Sequence, residues 1–201
     1  MRRAVLLAAL LLVGCGQSKD EGISGGGKVI GGTVTVYSLT TDPGATSRSF
    51  VDGEKLALSD AGGKAGEFAI NFTSLDLGAD EDAQAQSSRR AINDPQIIAA
   101  IADATRVTVP LFNAAGILQI APSGDPKLIT NPNALPSGKD NVGLVRGTLP
   151  AEFAERYQAQ FGRAPDQSAE NGYRAMASVL DAIRLAGAAG NDRTRVIDSY
   201  L

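Results

Sequence analysis

The sequence predicts an α/β fold: a doubly wound parallel sheet in a single domain. Segments of strand length and segments of helical periodicity alternate from Thr33 onwards, which is the order of consecutive βαβ units. Hydrophobic residues make up 43% of the chain and charged residues 20%, a balance typical of globular proteins. The length of 201 residues allows one ordinary domain whose core needs no disulfide bond.

The first two-thirds of the chain carry the alternation most clearly. Strands are predicted from runs that are β-branched, alternating or continuously apolar, at residues 33–38, 68–73, 97–101 and 117–120. Helices are predicted from small or apolar residues at helical spacing, at residues 45–60, 80–93 and 105–115. Pro110 predicts that the third helix is kinked or begins late.

The last third has a different organisation. Residues 122–140 contain four prolines, and such a long connection usually marks a functional loop. A short strand is predicted at residues 141–146, followed by helices at residues 150–161, 166–185 and 191–201. Asn191 is predicted to cap the last helix, and no closing strand follows it.

The N-terminus predicts an exported, lipid-anchored protein. Arg2 and Arg3 precede an apolar run of residues 4–13, which has the length of a secretory signal rather than of a membrane span. The run ends in Leu-Val-Gly-Cys, which resembles a bacterial lipobox and predicts a signal peptide at residues 1–14 with lipidation at Cys15. An ordinary signal peptide with an incidental cysteine is the alternative. The Gly-rich, polar residues 15–32 are predicted to form a flexible tether.

Composition excludes several functions. The chain has no histidine and one cysteine, so it has no Ser-His-Asp triad, no histidine metal site and no internal disulfide bond. The net charge of −3 argues against nucleic-acid binding. We therefore expect no enzyme activity, no cofactor and no metal.

Three segments resemble a known family. They read FVDGEKLAL with AGGKAG at residues 50–66, PLFNAAGILQIAPS at 110–123, and FGRAP with NGYRAM and DAIRLAG at 161–187. In this order they resemble the branched-chain amino acid type of ABC-transporter substrate-binding proteins, which are type I periplasmic binding proteins. The resemblance covers most of residues 33–201 and implies a non-enzymatic solute-binding function.

The resemblance also implies that a lobe is missing. Family members usually have two lobes that close on a ligand, but the ten residues 141–150 are too few to hold a second lobe. We expect residues 33–146 to form the first lobe and residues 149–201 its returning C-terminal helices. An exposed apolar surface, and with it self-association, is expected where the second lobe would lie.

The resemblance places ligand groups in two loops that follow strands. It implies that Thr105 in the first loop and Ser123, Gly124 and Asp125 in the second loop bind the ligand, with hydroxyl and N–H groups suited to a carboxylate. Asp125 would repel a carboxylate or attract an ammonium group. An ordinary solvated loop is the alternative for all four residues.

Three functions remain open from the sequence, the third being an envelope enzyme. The first is an extracytoplasmic solute-binding lipoprotein that binds a branched-chain amino acid or a similar small molecule for a membrane ABC permease. The second is a truncated scaffold or fragment that keeps the fold and does not bind. An envelope enzyme is disfavoured because no catalytic constellation is visible.

Overall fold

The computed structural model describes residues 27–41, 44–124 and 141–201. The predicted signal peptide, the lipidation site Cys15 and the predicted ligand residue Asp125 lie outside the described residues, as does most of the proline-rich segment.

The described strands form one six-stranded sheet in the order β2-β3-β1-β4-β5-β6. Neighbouring strands are parallel except β2, which pairs antiparallel with β3. The strands are β1 (Thr33–Thr40), β2 (Lys64–Ala65), β3 (Phe68–Asp76), β4 (Ile97–Ala102), β5 (Leu118–Ala121) and β6 (Val142–Leu144). The long strands match the predicted ones, whereas the two-residue β2 is too short to show a periodicity in the sequence.

The helices flank both faces of this sheet. They are α1 (Ala45–Asp60), α2 (Glu81–Ile92), α3 (Thr108–Ala114), α4 (Phe153–Phe161), α5 (Gln167–Leu185) and α6 (Arg193–Tyr200). The late start of α3 agrees with the expectation from Pro110. Residues 145–152 join β6 to α4 with no helix or strand between them, so this part of the chain holds no second lobe.

The two faces of the sheet have separate cores. The larger core lies under α1, α4, α5 and α6, where Val36, Tyr157, Met176 and Ile183 are fully buried. The smaller core lies under α2 and α3 and includes the buried Phe112. This arrangement confirms the predicted doubly wound α/β fold.

The closest helix contact in the larger core is between α1 and α5, and it depends on two glycines. A Cβ atom at Gly53 would lie 2.0 Å from the carbonyl oxygen of Ala169, and one at Gly172 would lie 2.0 Å from that of Phe50. Any other residue at either position would push the helices apart. The helices are therefore held backbone to backbone.

The folded part begins before Thr33, which corrects the predicted end of the tether. Val29 is buried, and its N–H donates to the carbonyl oxygen of Asn191 over 2.7 Å. The Asn191 side-chain amide donates a hydrogen bond to the Val29 carbonyl oxygen over 2.8 Å. Asn191 is thus not the cap of α6: the Asp192 carboxylate accepts from the N–H of Arg195 instead.

The described residues show no extended apolar surface at the edge where the β-strands end, although Leu144 at the end of β6 is exposed there. Among the described residues, the exposed large hydrophobic side chains are Ile30, Leu144, Leu185 and Leu201. The described residues at this edge combine apolar side chains, such as Phe50 and Ile101, with hydroxyl and amide groups. Self-association stays a prediction, without this surface to support it.

Candidate functional site

A cavity of about 220 Å³ lies at the carboxyl ends of β1, β4 and β5. Ligands of open α/β sheets bind outside the carboxyl ends of the strands, because loops from several strands converge there. The cavity lies between these strand ends and the first turns of α1 and α5. Its lining consists of Leu39, Thr40, Thr41, Thr46, Ser47, Phe50, Ile101, Asp103, Pro122, Ser123, Ser168 and Asn171.

One wall of the cavity is the first turn of α1. No side chain of the described residues caps this helix, and the turn contains no acidic residue. The first N–H groups of a helix have no partner within the helix, so they remain available as donors. The hydroxyls of Thr46 and Ser47 in the same turn make no hydrogen bond to the described residues. This wall therefore offers hydrogen-bond donors.

The opposite wall is the loop after β4 together with the residues after β5. Ser123 Oγ donates to Asp103 Oδ1 over 2.6 Å, which links the two loops. The buried side chain of Gln119 donates to the carbonyl oxygens of Ala102 and Asp103 over 3.0 Å each. Thr108 Oγ1 also donates to the Asp103 carbonyl, over 2.7 Å. Asp103 is thus held in place through its backbone.

The structure brings some of the sequence-predicted residues to this cavity and leaves one outside it. Ser123 lines the cavity, and Gly124 follows it in a bridge to Ala104. At Gly124 the φ angle is +151°, and a Cβ atom would lie 2.6 Å from that of Ala104, so only glycine fits. Asp125 lies outside the described residues.

Thr105 does not line the cavity. Its Oγ1 donates to Gln84 Oε1 over 3.0 Å and accepts from the N–H groups of Val107 and Thr108. These contacts stabilise the start of α3 and with it the loop that carries Asp103. The role of Thr105 in this structure is to hold that loop.

Asp103 is the residue that sequence reasoning missed. It directly follows the apolar run of β4, and a polar residue at the carboxyl end of a buried parallel strand is a signal for a ligand site. The same signal marks Thr40 and Thr41 after β1. Ser168 and Asn171 gave no such signal, because α5 reaches the cavity only through its packing on α1.

Two further cavities continue the first along the same edge of the sheet. One of about 430 Å³ shares Pro122 and Asn171 with it and is also lined by Arg174. The other, about 350 Å³, shares Thr40 and Ser47 and contains Arg48. The carboxyl edge of the sheet therefore forms a continuous trough.

A buried carboxyl group lies within the larger core, close to the site. Glu54 on α1 is fully buried, and neither of its oxygens has a hydrogen-bond partner among the described residues. Burial raises the pKa of Glu54 well above its usual value, and the nearby Ser38 hydroxyl offsets only part of this. Burial therefore favours the neutral form of Glu54.

The described residues contain no group of three or more side chains suited to hold a metal ion. Within the same ranges, every helix is too short or too polar to cross a membrane.

Comparison with solved structures identifies the fold. A leucine-binding protein from Thermotoga maritima matches with a TM-score of 0.63 and 13% identity, over 83% of this chain and 87% of that chain. A branched-chain amino acid transporter substrate-binding protein from Streptococcus pneumoniae, in complex with isoleucine, matches with a TM-score of 0.63 and 12% identity, over 84% and 87%. An ABC-transporter solute-binding protein from R. palustris, in complex with benzoate, matches with a TM-score of 0.66 and 12% identity, over 84% and 85%.

At these identities the likeness concerns the fold. The described residues form a type I periplasmic-binding-protein-like lobe, as the sequence resemblance implied. No protein-family model matches the chain, and no curated protein sequence matches it.

Proposed function

We propose that this protein is an extracytoplasmic solute-binding lipoprotein of an ABC transporter, which binds a branched-chain amino acid or a similar small carboxylate for a membrane permease. The cavity at the carboxyl ends of β1, β4 and β5 carries this proposal. It has the size and the place in the fold of a small-molecule site. The protein needs no chemistry of its own for this role, which agrees with neighbours described as binding proteins.

The donor wall of the cavity supports a ligand that contains a carboxylate. Leucine, isoleucine and benzoate, the ligands in the descriptions of three structural neighbours, share this group. The first turn of α1, with the hydroxyls of Thr46 and Ser47, offers donors and a favourable dipole to it. On the opposite side we place Ser123 and the N–H of Gly124 at the rim, with Thr105 supporting the loop. Asp125, which follows them in the sequence, stays a proposed ligand residue.

A site built from one lobe is expected to bind weakly. It offers about half the contacts of an enclosed site and leaves the ligand open to water, where hydrogen bonds contribute little net free energy. A loss of about 4 kcal/mol of contact free energy weakens binding about a thousandfold. We expect dissociation constants in roughly the millimolar range.

Calorimetry with free leucine, isoleucine, valine and benzoate tests the proposal. Thr41→Trp should abolish binding, because an indole at this exposed position fills the cavity. Gln160→Trp, on the exposed side of α4 and away from the three cavities, is the matched control and should bind as the unaltered chain does. Binding that survives Thr41→Trp would contradict the location of the site.

A non-binding scaffold is the second candidate. The absence of a second lobe between β6 and α4 favours it, because the cavity then has no cover from that part of the chain. No detectable binding of any of these solutes at tens of millimolar, with a folded protein, would favour the scaffold.

The lipid anchor is tested separately. Replacing Cys15 with serine removes the thiol that the lipobox modification requires. The Cys15→Ser protein should therefore leave the membrane fraction and take up no labelled palmitate. A Cys15→Ser protein that stays acylated and membrane-bound would contradict the proposed anchor.

A further inference from the structure

The hydroxyl groups of the cavity are divided between donors and acceptors. A carboxylate has no hydrogen to donate, so the 2.6 Å contact between Ser123 and Asp103 uses the only hydroxyl hydrogen of Ser123. The Ser168 hydroxyl likewise donates its hydrogen to the carbonyl oxygen of Thr46, over 2.7 Å. Towards a ligand, Ser123 and Ser168 therefore present lone pairs and act as acceptors.

The charge of the cavity is negative, which also favours a ligand group that donates hydrogen bonds. Asp103 is the one charged residue among its described lining residues. No arginine or lysine of the described residues forms an ion pair with it, whereas Arg174 and Lys55 in the adjoining cavities pair with Glu170 and Asp52 on their own helices. The wall formed by Asp103 and Ser123 thus combines a negative charge with hydroxyl acceptors.

We infer that this cavity recognises an ammonium group of its ligand through the Asp103 carboxylate and Ser123 Oγ. An ammonium group has only donors and needs several acceptors around it, which is what this wall supplies. A ligand with a carboxylate alone would bring no positive charge to Asp103, and no lysine or arginine lines this cavity among the described residues. The inference rests on the proposed solute-binding function and selects amino acids and amines over simple carboxylic acids such as benzoate.

The position of Asp103 also fits this role. Its backbone carbonyl is fixed by Gln119 and Thr108, and its carboxylate accepts a hydrogen bond from Ser123. The side chain is partly exposed, so it has a free oxygen for a ligand. Asn in its place keeps the shape and an acceptor for Ser123 but removes the charge.

The test compares four probes by calorimetry on the purified chain: leucine, leucinamide, 4-methylpentanoate and benzoate. Leucine and leucinamide carry an ammonium group, whereas 4-methylpentanoate and benzoate do not. We expect the first two to bind and the other two to bind at least about tenfold more weakly. Asp103→Asn should weaken leucine and leucinamide about tenfold, and Ser123→Ala should weaken them to a smaller extent.

Asp82→Asn is the matched control, because Asp82 is an exposed carboxylate on α2 outside this cavity. It should leave all four affinities unchanged. Thermal unfolding of each variant confirms that it is folded. If 4-methylpentanoate or benzoate binds as tightly as leucine, or if folded Asp103→Asn binds leucine unchanged, the ammonium site is wrong and the solute-binding function stands. If none of the four probes binds at tens of millimolar, both are overturned.

Discussion

The first turn and the middle of α1 serve different purposes, and the comparison shows how the site is positioned. The first turn, with Thr46 and Ser47, has no cap from the side chains that the structure describes, and it faces the cavity. The middle packs against α5 at backbone distance through Gly53. Open hydrogen-bonding capacity at one end of the helix is therefore combined with tight packing one to two turns further along.

Helix α5 repeats this division within a few residues. Asn171 lines the cavity, and the adjacent Gly172 meets the backbone of α1 at Phe50. Because interiors are close-packed and respond to a change of one methyl group, the contact fixes the distance between the two walls. Changes in the middle of the helix pair should affect both stability and binding, whereas changes in the first turn should affect binding alone.

The largest effect is expected for Gly53→Ala. The new methyl group would meet the Ala169 carbonyl oxygen, and overpacking of this kind costs about 1–3 kcal/mol, so we expect a loss near the upper end in urea unfolding. Leucine binding should weaken as well, because α1 and α5 move apart. Gly32→Ala, where no atom lies within 4 Å, is the control and should be nearly neutral.

Whether Gly53→Ala lowers or raises the free energy of unfolding tests the contact between α1 and α5. In a helix without a close neighbour, alanine is favoured over glycine by about 1 kcal/mol. A Gly53→Ala protein that is more stable than the unaltered chain would show that the helices do not touch at this point.

A second change at the middle of α1 is expected to stabilise the protein. Glu54 is buried with unpaired oxygens, and replacing such a group by an apolar side chain of similar shape is neutral or favourable. Glu54→Met should raise the free energy of unfolding at pH 8 by about 1–2 kcal/mol, measured by urea unfolding. A Glu54→Met protein that is clearly less stable at pH 8 would indicate a buried partner for the carboxyl group.

The pH dependence sharpens this test. Burial raises the pKa of Glu54, so the folded state keeps a proton that the unfolded chain releases. The contribution of Glu54 to stability is greatest below its usual pKa and is lost as the pH rises towards the raised value. Glu54→Met should lack this decline with rising pH, whereas Glu67→Gln, at an exposed carboxyl group, should retain it.

A smaller effect is expected at the C-terminal end of α1. Tyr173 on α5 donates its hydroxyl hydrogen to Asp60 of α1 over 2.9 Å. Tyr173→Phe should cost about 1 kcal/mol in unfolding and leave leucine binding unchanged, because the contact is remote from the cavity. Weaker binding in a stable Tyr173→Phe protein would mean that the C-terminal end of α1 also sets the width of the site.

Alkaline unfolding gives a second measurement for Tyr173. Burial and the hydrogen bond to the Asp60 carboxylate raise the pKa of Tyr173 to about 12. Its contribution to stability is therefore complete below its ordinary pKa near 10 and is lost as the pH rises through 12. Tyr173→Phe should therefore lack this loss of stability at alkaline pH.

The sequence predicted the framework well because regular elements leave periodic signals. The bounds of α1 were predicted residue for residue, since an apolar face and a Gly-rich end mark them. The capping of α6 was placed one residue early, because Asn191 and Asp192 are both good caps and only the contact with Val29 decides between them. That contact joins residues far apart in the chain and has no local signal.

The site was predicted less completely for the same reason. The position of Ser123 follows from the end of β5, and the structure places it at the cavity. Thr105 and Asp103 are only two residues apart after β4, and the sequence favoured the threonine. Which of them faces the cavity depends on Gln119 and Thr108, whose hydrogen bonds turn the loop. Such long-range hydrogen bonds are visible only in the folded chain.

The smallest change in stability, and a direct test of the first turn, is expected for Ser47→Ala. The Ser47 hydroxyl lines the cavity and makes no hydrogen bond to the described residues, so its loss should alter unfolding by less than about 0.5 kcal/mol. Leucine binding should weaken about threefold to tenfold, because a hydrogen bond to a carboxylate in an open site is lost. Ser59→Ala, at an exposed position of the same helix, is the control for both measurements. If Ser123→Ala weakens binding and Ser47→Ala does not, the ligand contacts only the wall formed by Asp103 and Ser123, and the first turn of α1 is not part of the site.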